Sequence, residues 1–153
     1  MSEKLNIGEV CNRKVVIATE DMSIKEAAGI MRDEHVGSLV VVQEAGAGRI
    51  VTGMLTDRDI AVMAVARDFD PQTLRVADVM SATPVTANPE DSIHDVLAMM
   101  RSRGIRRVPV TTDKGILVGI VTMDDLLEIM AEEMQSFVHA IESAQKREAR
   151  IRG

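Results

Sequence analysis

Two stretches of the chain repeat apolar residues at the spacing of one helix face. Apolar side chains at positions i, i+3, i+4 and i+7 form a single stripe that can face a core. The stripe is Ile24, Ala27, Ala28 and Met31 in the first stretch and Ile93, Val96, Leu97 and Met100 in the second. Before each stripe stands a serine, Ser23 or Ser92, with an acidic residue three positions later. This is the sequence pattern of a helix N-cap, so we predict two capped amphipathic helices.

Short apolar runs of strand-like length lie on both sides of each helix. An extended piece precedes the helix, at residues 14–18 and 83–87, and two strands follow it, at 39–42 and 50–56 and again at 108–110 and 116–122. A second helix then closes each unit. Pro109 cannot donate a ladder hydrogen bond, which predicts an edge or a start for its strand. The order β-α-β-β-α, made twice, predicts an α/β (α+β) fold.

The two units are copies of one repeat. A shift of 69 positions carries Val16 onto Val85, and a shift of 66 carries Thr56 onto Thr122. The shift shortens because the first copy has the longer turn, around residues 45–48. The matches run through loops, helices and strands, which indicates a true internal repeat. We predict repeats at residues 7–66 and 76–134, a linker at 67–75 and a C-terminal helical extension at 135–153.

Each repeat carries the motif Gly-x-apolar-Thr-x-x-Asp where its last strand meets its second helix. The motif spans residues 53–59 and 119–125. A helix N-terminus presents free N–H groups and partial positive charge, which suit phosphates, and the Asp can accept hydrogen bonds from a sugar diol. Thr-x-x-Asp is also a capping box, which satisfies those N–H groups with no ligand present. The motif alone leaves both interpretations open.

Beyond Asp125 the helical pattern continues for many residues. Apolar residues recur at steps of four and three, at Leu126, Met130, Met134, Phe137, Ile141 and Ala144. This spacing is typical of a short heptad seam. Two interpretations are open: the helix packs this stripe against its own domain, or the stripe is a dimer contact.

Composition and charge narrow the class of protein. The net charge of −6 argues against a nucleic-acid partner. Phe69 and Phe137 are the only aromatic residues, so base-stacking platforms are not available and a bound purine would lie between aliphatic side chains. No apolar stretch approaches the roughly 20 residues that span a bilayer, and the single cysteine, Cys11, excludes an intrachain disulfide. We predict a cytoplasmic protein with no membrane partner.

The sequence contains no pattern that indicates catalysis. It has no Walker-type phosphate loop and no Gly-x-Gly-x-x-Gly stretch. His35, His94 and His139 are isolated from one another and from Cys11, so no zinc site is expected. The acidic neighbours in residues 57–59 and 124–125 diverge on a helix and do not converge on one reacting atom. We predict a protein that is not an enzyme, with no catalytic residue and no metal.

Together these features resemble a tandem pair of CBS domains, the motif named after cystathionine β-synthase and often called a Bateman module, here in stand-alone form. The resemblance covers residues 7–134 and rests on the order, spacing and duplication of short pieces. Those pieces are residues 56–60, 78–80, 83–85, 107–110 and 119–122. The family implies two repeats packed with pseudo-two-fold symmetry around two clefts.

In this family the clefts commonly hold an adenosine-containing ligand: AMP, ADP, ATP, S-adenosylmethionine or NAD(H). The resemblance implies that Asp59 and Asp125 accept hydrogen bonds from ribose hydroxyls, while Thr56 and Thr122 reach ribose or phosphate. The residues implied to flank the base are Val16, Ile17, Thr83 and Val85. No other cofactor is expected.

The two repeats differ in their basic residues. Arg106 and Arg107 lie where the family often has basic phosphate contacts, and arginine favours a phosphorylated ligand. Their counterparts in the first repeat, at positions 37 and 38, are glycine and serine. Arg58 is a further candidate in the first repeat, and its counterpart in the second is an aspartate. We therefore expect two clefts that are not equivalent.

These expectations combine into a regulatory sensor. It would bind an adenosine nucleotide and change its shape or dimer packing, so that an unidentified protein effector responds in trans. A homodimer is expected because family modules commonly pair face to face. The alternative is a purely structural homodimer or adaptor in which the Thr-x-x-Asp motifs only cap helices.

Overall fold

The computed structural model describes residues 5–153 and contains the two repeats in sequence order. The first comprises α1 (Ile7–Val10), β1 (Ile17–Thr19), α2 (Ile24–Glu34), β2 (Ser38–Ala45), β3 (Gly48–Thr56) and α3 (Asp57–Ile60), which continues as a π-helical segment (Ala61–Val65). The second comprises α4 (Val76–Val79), α5 (Ile93–Arg103), β4 (Arg107–Thr111), β5 (Leu117–Thr122) and α6 (Met123–Arg152). The predicted α+β class and the C-terminal helical extension are confirmed.

The two amphipathic helices form where the apolar stripes predict them. The Ser23 hydroxyl accepts a hydrogen bond from the Glu26 N–H at 3.1 Å and begins α2. Ser92 and Asp95 form a complete capping box at the start of α5. Both helices end at a residue in the left-handed conformation, which is glycine in α5, at Gly104 with φ of 65°. The stripes of both helices face the interior, so each helix is held mainly by its buried face.

The strands form two separate small sheets. In the first, β1 runs parallel to β2 and β2 runs antiparallel to β3, in the order β1-β2-β3. The second holds the antiparallel pair of β4 and β5. Each antiparallel pair carries a bulge at equivalent positions, between Val41 and Val42 in one and between Val110 and Thr111 in the other. The repeat is therefore visible in the irregularities of the sheets as well as in their order.

The first strand of the second repeat is reduced to a single bridge. A strand is predicted over residues 83–87, whereas the structure has an isolated parallel bridge between Ala87 and Val110. In the first repeat the Val40 N–H donates to the Val16 carbonyl at 3.2 Å. The residue equivalent to Val40 is Pro109, which has no N–H to donate. The loss of this bond explains the shorter pairing.

Pro109 lies in the middle of β4 and not at its start, but β4 is an edge strand of its two-stranded sheet, which is the other predicted alternative. Pro109 pairs with Ile120 of β5. The N–H and C=O of Ile120 are both bonded to Asn12, at 2.9 and 2.8 Å, so this pair needs no donor from Pro109. The proline is tolerated within the strand because its missing N–H faces away from β5.

The repeats exchange their first segments across a pseudo-two-fold axis. Asn12 bridges to Ile120, and its equivalent Ser81 bridges to Met54. Val76 and Val79 of α4 belong to the hydrophobic core of the first repeat, while Ile7 of α1 belongs to the core of the second. Each core is therefore completed by the other repeat, and neither is expected to form alone.

The motif glycines are required by this exchange. A Cβ atom at Gly53 would lie 2.7 Å from the Ser81 carbonyl oxygen, and one at Gly119 would lie 2.7 Å from the Asn12 carbonyl oxygen. Real Cβ atoms do not approach a backbone oxygen so closely, so only glycine lets the incoming segment cross the strand. The glycine of the motif therefore has a packing role between the repeats.

The long helix α6 leaves the body of the protein after its first two turns. Leu126 is buried and Ile129 is half-buried, whereas every residue from Met130 to Gly153 is exposed. The helix does not pack its later apolar residues on its own domain, which removes one of the two interpretations of the stripe. Across residues 5–153, no helix is both long enough and apolar enough to cross a membrane.

Candidate functional site

The Thr-x-x-Asp motifs form complete capping boxes. The Thr56 Oγ1 accepts from the Asp59 N–H at 3.1 Å, and the Asp59 Oδ2 accepts from the Thr56 N–H at 2.9 Å. Thr122 and Asp125 make the same two bonds at 3.1 and 3.3 Å. Each box uses one carboxylate oxygen of its Asp. Capping therefore leaves the second oxygen of Asp59 and of Asp125 available to accept another hydrogen bond.

A cleft of about 620 Å³ opens between the two repeats. We call it the main cleft. Its first wall is the start of α3, from Thr56 to Asp59, and its second wall comes from the other repeat. The lining residues of the second wall are Ser81, Thr83, Pro84, Val85, Gly104, Ile105, Arg106 and Arg107. The volume falls within the range of about 300–1,000 Å³ that is usual for small-molecule sites.

The bridge between Ser81 and Met54 positions this second wall. The Met54 N–H donates to the Ser81 carbonyl at 3.1 Å, and the Ser81 N–H donates to the Met54 carbonyl at 2.9 Å. The chain then continues directly to Thr83 and Val85. The crossing at Gly53 thus brings the start of the second repeat beside the motif of the first.

The main cleft brings together most of the candidate site residues. These are Thr56, Arg58, Asp59, Thr83, Val85, Arg106 and Arg107. Val16 and Ile17 do not line it. Val16 packs against the first hydrophobic core, and Ile17 lies in β1 opposite Val40. Asp125 is also absent from its lining.

A second depression lies at the equivalent place in the other repeat and is much smaller. Its volume is about 70 Å³, and its lining includes Thr122 together with Arg106 and Arg107. These arginines occupy the positions that Gly37 and Ser38 hold in the first repeat. Bulky side chains in place of small ones reduce the space on this side, so the predicted inequivalence of the two clefts has a steric cause.

The main cleft carries both charges and apolar walls. Asp59 is half-buried, whereas Arg58, Arg106 and Arg107 are exposed. No ion pair engages these arginines within the part of the chain that the structure describes, so their guanidinium groups are available to an anion. Met54 adds an aliphatic surface that can face a flat ring.

Several lining residues were not predicted from the sequence. Ser38, Met54, Ser81, Pro84 and Ile105 line the main cleft beside the predicted residues. A sequence signal existed for Ser81, because the motif glycine indicates a close approach of another backbone to its strand. Nothing in the sequence named the segment that makes this approach.

Comparison with known proteins identifies the class to which this fold and cleft belong. The profile of the CBS domain matches the chain twice, at residues 7–64 and 76–132. The chain therefore belongs to the CBS domain family. It is similar to the CBS domain-containing protein YhcV of Bacillus subtilis, with 37% identity over 121 residues, which cover 79% of this chain and 82% of that protein.

Several solved structures share the fold, among them two that were solved with bound ligands or metal ions. The CBS domain pair of protein MJ0100, in complex with 5′-methylthioadenosine and S-adenosyl-L-methionine, has a TM-score of 0.74 and 26% identity, covering 86% of this chain and 99% of that chain. Hypoxic Response Protein I with two coordinated zinc ions has a TM-score of 0.71 and 30% identity, covering 80% of this chain and 97% of that chain. Between residues 5 and 153 of the present protein, no group of three or more His, Cys, Asp or Glu is placed to hold a metal ion.

Proposed function

We propose that this protein is a regulatory sensor that binds one phosphorylated adenosine ligand in the main cleft. The observation that carries the proposal is the meeting of Thr56 and Asp59 of one repeat with Thr83, Val85 and the arginine pair of the other. The related CBS pair of MJ0100 was solved with two adenosine compounds, which supports an adenosine-containing ligand here, while the preference for a phosphorylated one rests on the arginines.

The ribose is assigned to Asp59. One oxygen of its carboxylate is committed to the capping box, and the other can accept a bond from a ribose hydroxyl. The carboxylate is half-buried, so a hydrogen bond to it is less exposed to competition from water than one at the surface. The capping box also holds the carboxylate in a fixed orientation, which lowers the entropic cost of binding.

The base is assigned to the aliphatic walls. Met54, Pro84, Val85 and Ile105 line the cleft and offer apolar surface on both repeats. A purine between such side chains is held by burial of its faces rather than by aromatic stacking.

The phosphates are assigned to Arg58, Arg106 and Arg107. Charge-assisted hydrogen bonds from arginine to phosphate are roughly twice as strong as neutral ones. The proposal therefore favours AMP, ADP or ATP over an uncharged adenosine. The depression of about 70 Å³ beside Thr122 is too small for a nucleotide, so we expect one ligand per chain.

The signal would be a change in how the repeats pack. A ligand that touches both repeats binds one of their arrangements better than another, and this difference is what shifts a conformational equilibrium. The output would reach a protein effector in trans, through a homodimer whose packing responds to the ligand. We expect the protein to bind its ligand without converting it. We also expect it to act in the cytoplasm.

Calorimetric titration with AMP, ADP, ATP, S-adenosylmethionine, NADH and a GTP control tests the proposal. We expect one adenosine ligand to bind with a stoichiometry near one and GTP to bind poorly. Asp59→Ala should abolish this binding. Asp125→Ala is the matched control, because it removes an equivalent capping box that does not line the main cleft.

Each substitution should cost about 0.5–2 kcal/mol of stability as a lost cap. Equal loss of binding in the two variants would contradict the assignment of the cleft. No binding of any ligand to the wild-type protein would favour the adaptor, for which the complete capping boxes are the supporting observation.

A further inference from the structure

The exposed part of α6 carries an apolar stripe with no partner in the described residues. Along the stripe the exposed fractions are 65% for Leu127, 64% for Met134, 68% for Phe137, 58% for Ile141 and 75% for Ile151. Most helices in proteins owe their stability to tertiary packing of an amphipathic face. Contiguous exposed apolar residues of this extent mark an interaction surface.

The stripe follows a heptad repeat. Steps of three and four join Leu127, Met130, Met134, Phe137, Ile141, Ala144, Glu148 and Ile151. Only Glu148 among them is polar. Sustained a and d positions of this kind bury their side chains between two helices that pack knobs into holes. The partner of α6 is therefore another helix with a matching seam.

The charges on α6 are separated along its length. The charged residues of its first half are all acidic, at positions 124, 125, 128, 132 and 133, whereas its second half carries four basic residues, at positions 146, 147, 150 and 152, against Glu142 and Glu148. A parallel copy would place acid against acid and base against base. An antiparallel copy places the acidic half of each helix against the basic half of the other, and opposite charges flanking a seam set partner and orientation.

The heptad register also fits the antiparallel arrangement. With the two helices centred on residue 139, Phe137 of each copy faces Ile141 of the other, and Met134 faces Ala144. The same register brings Glu133 of each copy beside Arg147 of the other, and Asp124 beside Arg152. In a parallel register Arg147 would instead lie beside Arg152 of its neighbour, a repulsive contact.

We propose that α6 is a self-association surface on which a second copy of the chain docks its own α6, antiparallel, over residues 127–151. The surface lies outside the main cleft, so the proposal rests on the residues of α6 and not on the identity of the ligand. The dimer would join the two CBS pairs through their C-terminal helices, in place of the face-to-face pairing that the family resemblance implies.

Light scattering of Phe137→Glu gives the first test. The wild-type protein should have the mass of a dimer and this variant that of a monomer, since a charge would enter the seam. Ser136→Glu, one position off the stripe, is the control and should remain a dimer. A monomeric wild type, or a dimeric Phe137→Glu, would overturn the proposal.

Disulfide trapping determines the orientation. Two variants, Met134→Cys and Ala144→Cys, are each made in a Cys11→Ser background. Each is oxidised by itself, and the two are also oxidised together after they have been mixed and have exchanged subunits. The antiparallel dimer cross-links only in the mixture. A parallel dimer would cross-link each variant alone and leave the mixed pair about 15 Å apart, beyond the roughly 7 Å that a disulfide can bridge. Cross-linking of the separate variants, or none in any sample, refutes the antiparallel dimer.

Charge reversal tests the flanking pairs. Glu133→Arg should raise the dimer dissociation constant roughly 3-fold to 30-fold, the size expected when two exposed ion pairs become repulsive. Adding Arg147→Glu to the same chain should restore the wild-type value. Absence of both effects would refute the pairing of Glu133 with Arg147.

Discussion

Replacement of Gly53 by alanine is expected to damage both the joint between the repeats and the main cleft. The new Cβ would meet the Ser81 carbonyl oxygen at 2.7 Å and the Met80 sulfur at 2.7 Å. The sulfur belongs to a flexible side chain and can move, but the carbonyl belongs to the backbone. The segment at residues 81–85 must therefore shift away from β3.

The magnitude follows from the contacts that this shift breaks. The two hydrogen bonds of the bridge between Met54 and Ser81 are at risk, and each contributes about 0.5–1.5 kcal/mol. Forcing a methyl group into a packed site adds about 1–3 kcal/mol. We expect a loss of about 2–6 kcal/mol, which for a protein of this size lowers the melting temperature by roughly 4–24 °C.

Two further variants separate the causes. Gly119→Ala meets the Asn12 carbonyl at the same distance of 2.7 Å, so it should lose comparable stability. Only Gly53→Ala displaces the wall that carries Thr83, so only this variant should also lose affinity for the nucleotide. Gly29→Ala has no atom within 4 Å of the new Cβ, and as a helical glycine it should gain up to about 1 kcal/mol.

Thermal unfolding and ligand titration of the three variants provide the measurement. A Gly53→Ala protein as stable as Gly29→Ala would refute the packing role of the motif glycine. Comparable loss of nucleotide affinity in Gly53→Ala and Gly119→Ala would show that the wall at residues 81–85 is not what binds the ligand.

Two other predictions concern the second repeat. Arg107→Ala should weaken AMP binding by roughly 10-fold or more and leave adenosine binding unchanged, since a charge-assisted hydrogen bond contributes about 1.5–3 kcal/mol. The control is Arg101→Ala, on α5 outside the main cleft. Equal effects of the two substitutions in calorimetry would exclude a role of Arg107 in phosphate binding. Pro109→Val should restore an N–H that can donate to the Val85 carbonyl and lengthen the parallel pairing. Hydrogen exchange would then show protection at position 109 like that at Val40, and rapid exchange there would refute the role given to the proline.

The sequence predicted the local structure well because local structure depends on neighbours in the chain. The spacing of Ile24, Ala27 and Met31 identifies a buried helix face, and all three are buried. The Thr-x-x-Asp spacing predicts a capping box, and both boxes form with the expected bonds. The offsets of 69 and 66 positions revealed the repeat, and the bridges at Asn12 and Ser81 obey the same offsets.

The sequence did not predict the contacts between residues that are distant in the chain. Val16 and Val85 stand at equivalent positions in the repeats, yet Val16 packs against a core and Val85 lines the main cleft. The difference arises because the small residues Gly37 and Ser38 leave space on one side of the pseudo-two-fold axis, whereas Arg106 and Arg107 fill the equivalent space on the other side.

By itself, the sequence determined the two repeats, their helices and caps, and the family that they resemble. The tertiary structure decided which motif faces which wall, because that depends on the exchange of first segments between the repeats. It also decided that the stripe of α6 stays exposed, since the body of the protein ends before the helix does. A hydrophobic pattern specifies that a face must be buried, and only the packed fold shows whether the chain itself supplies the surface that buries it.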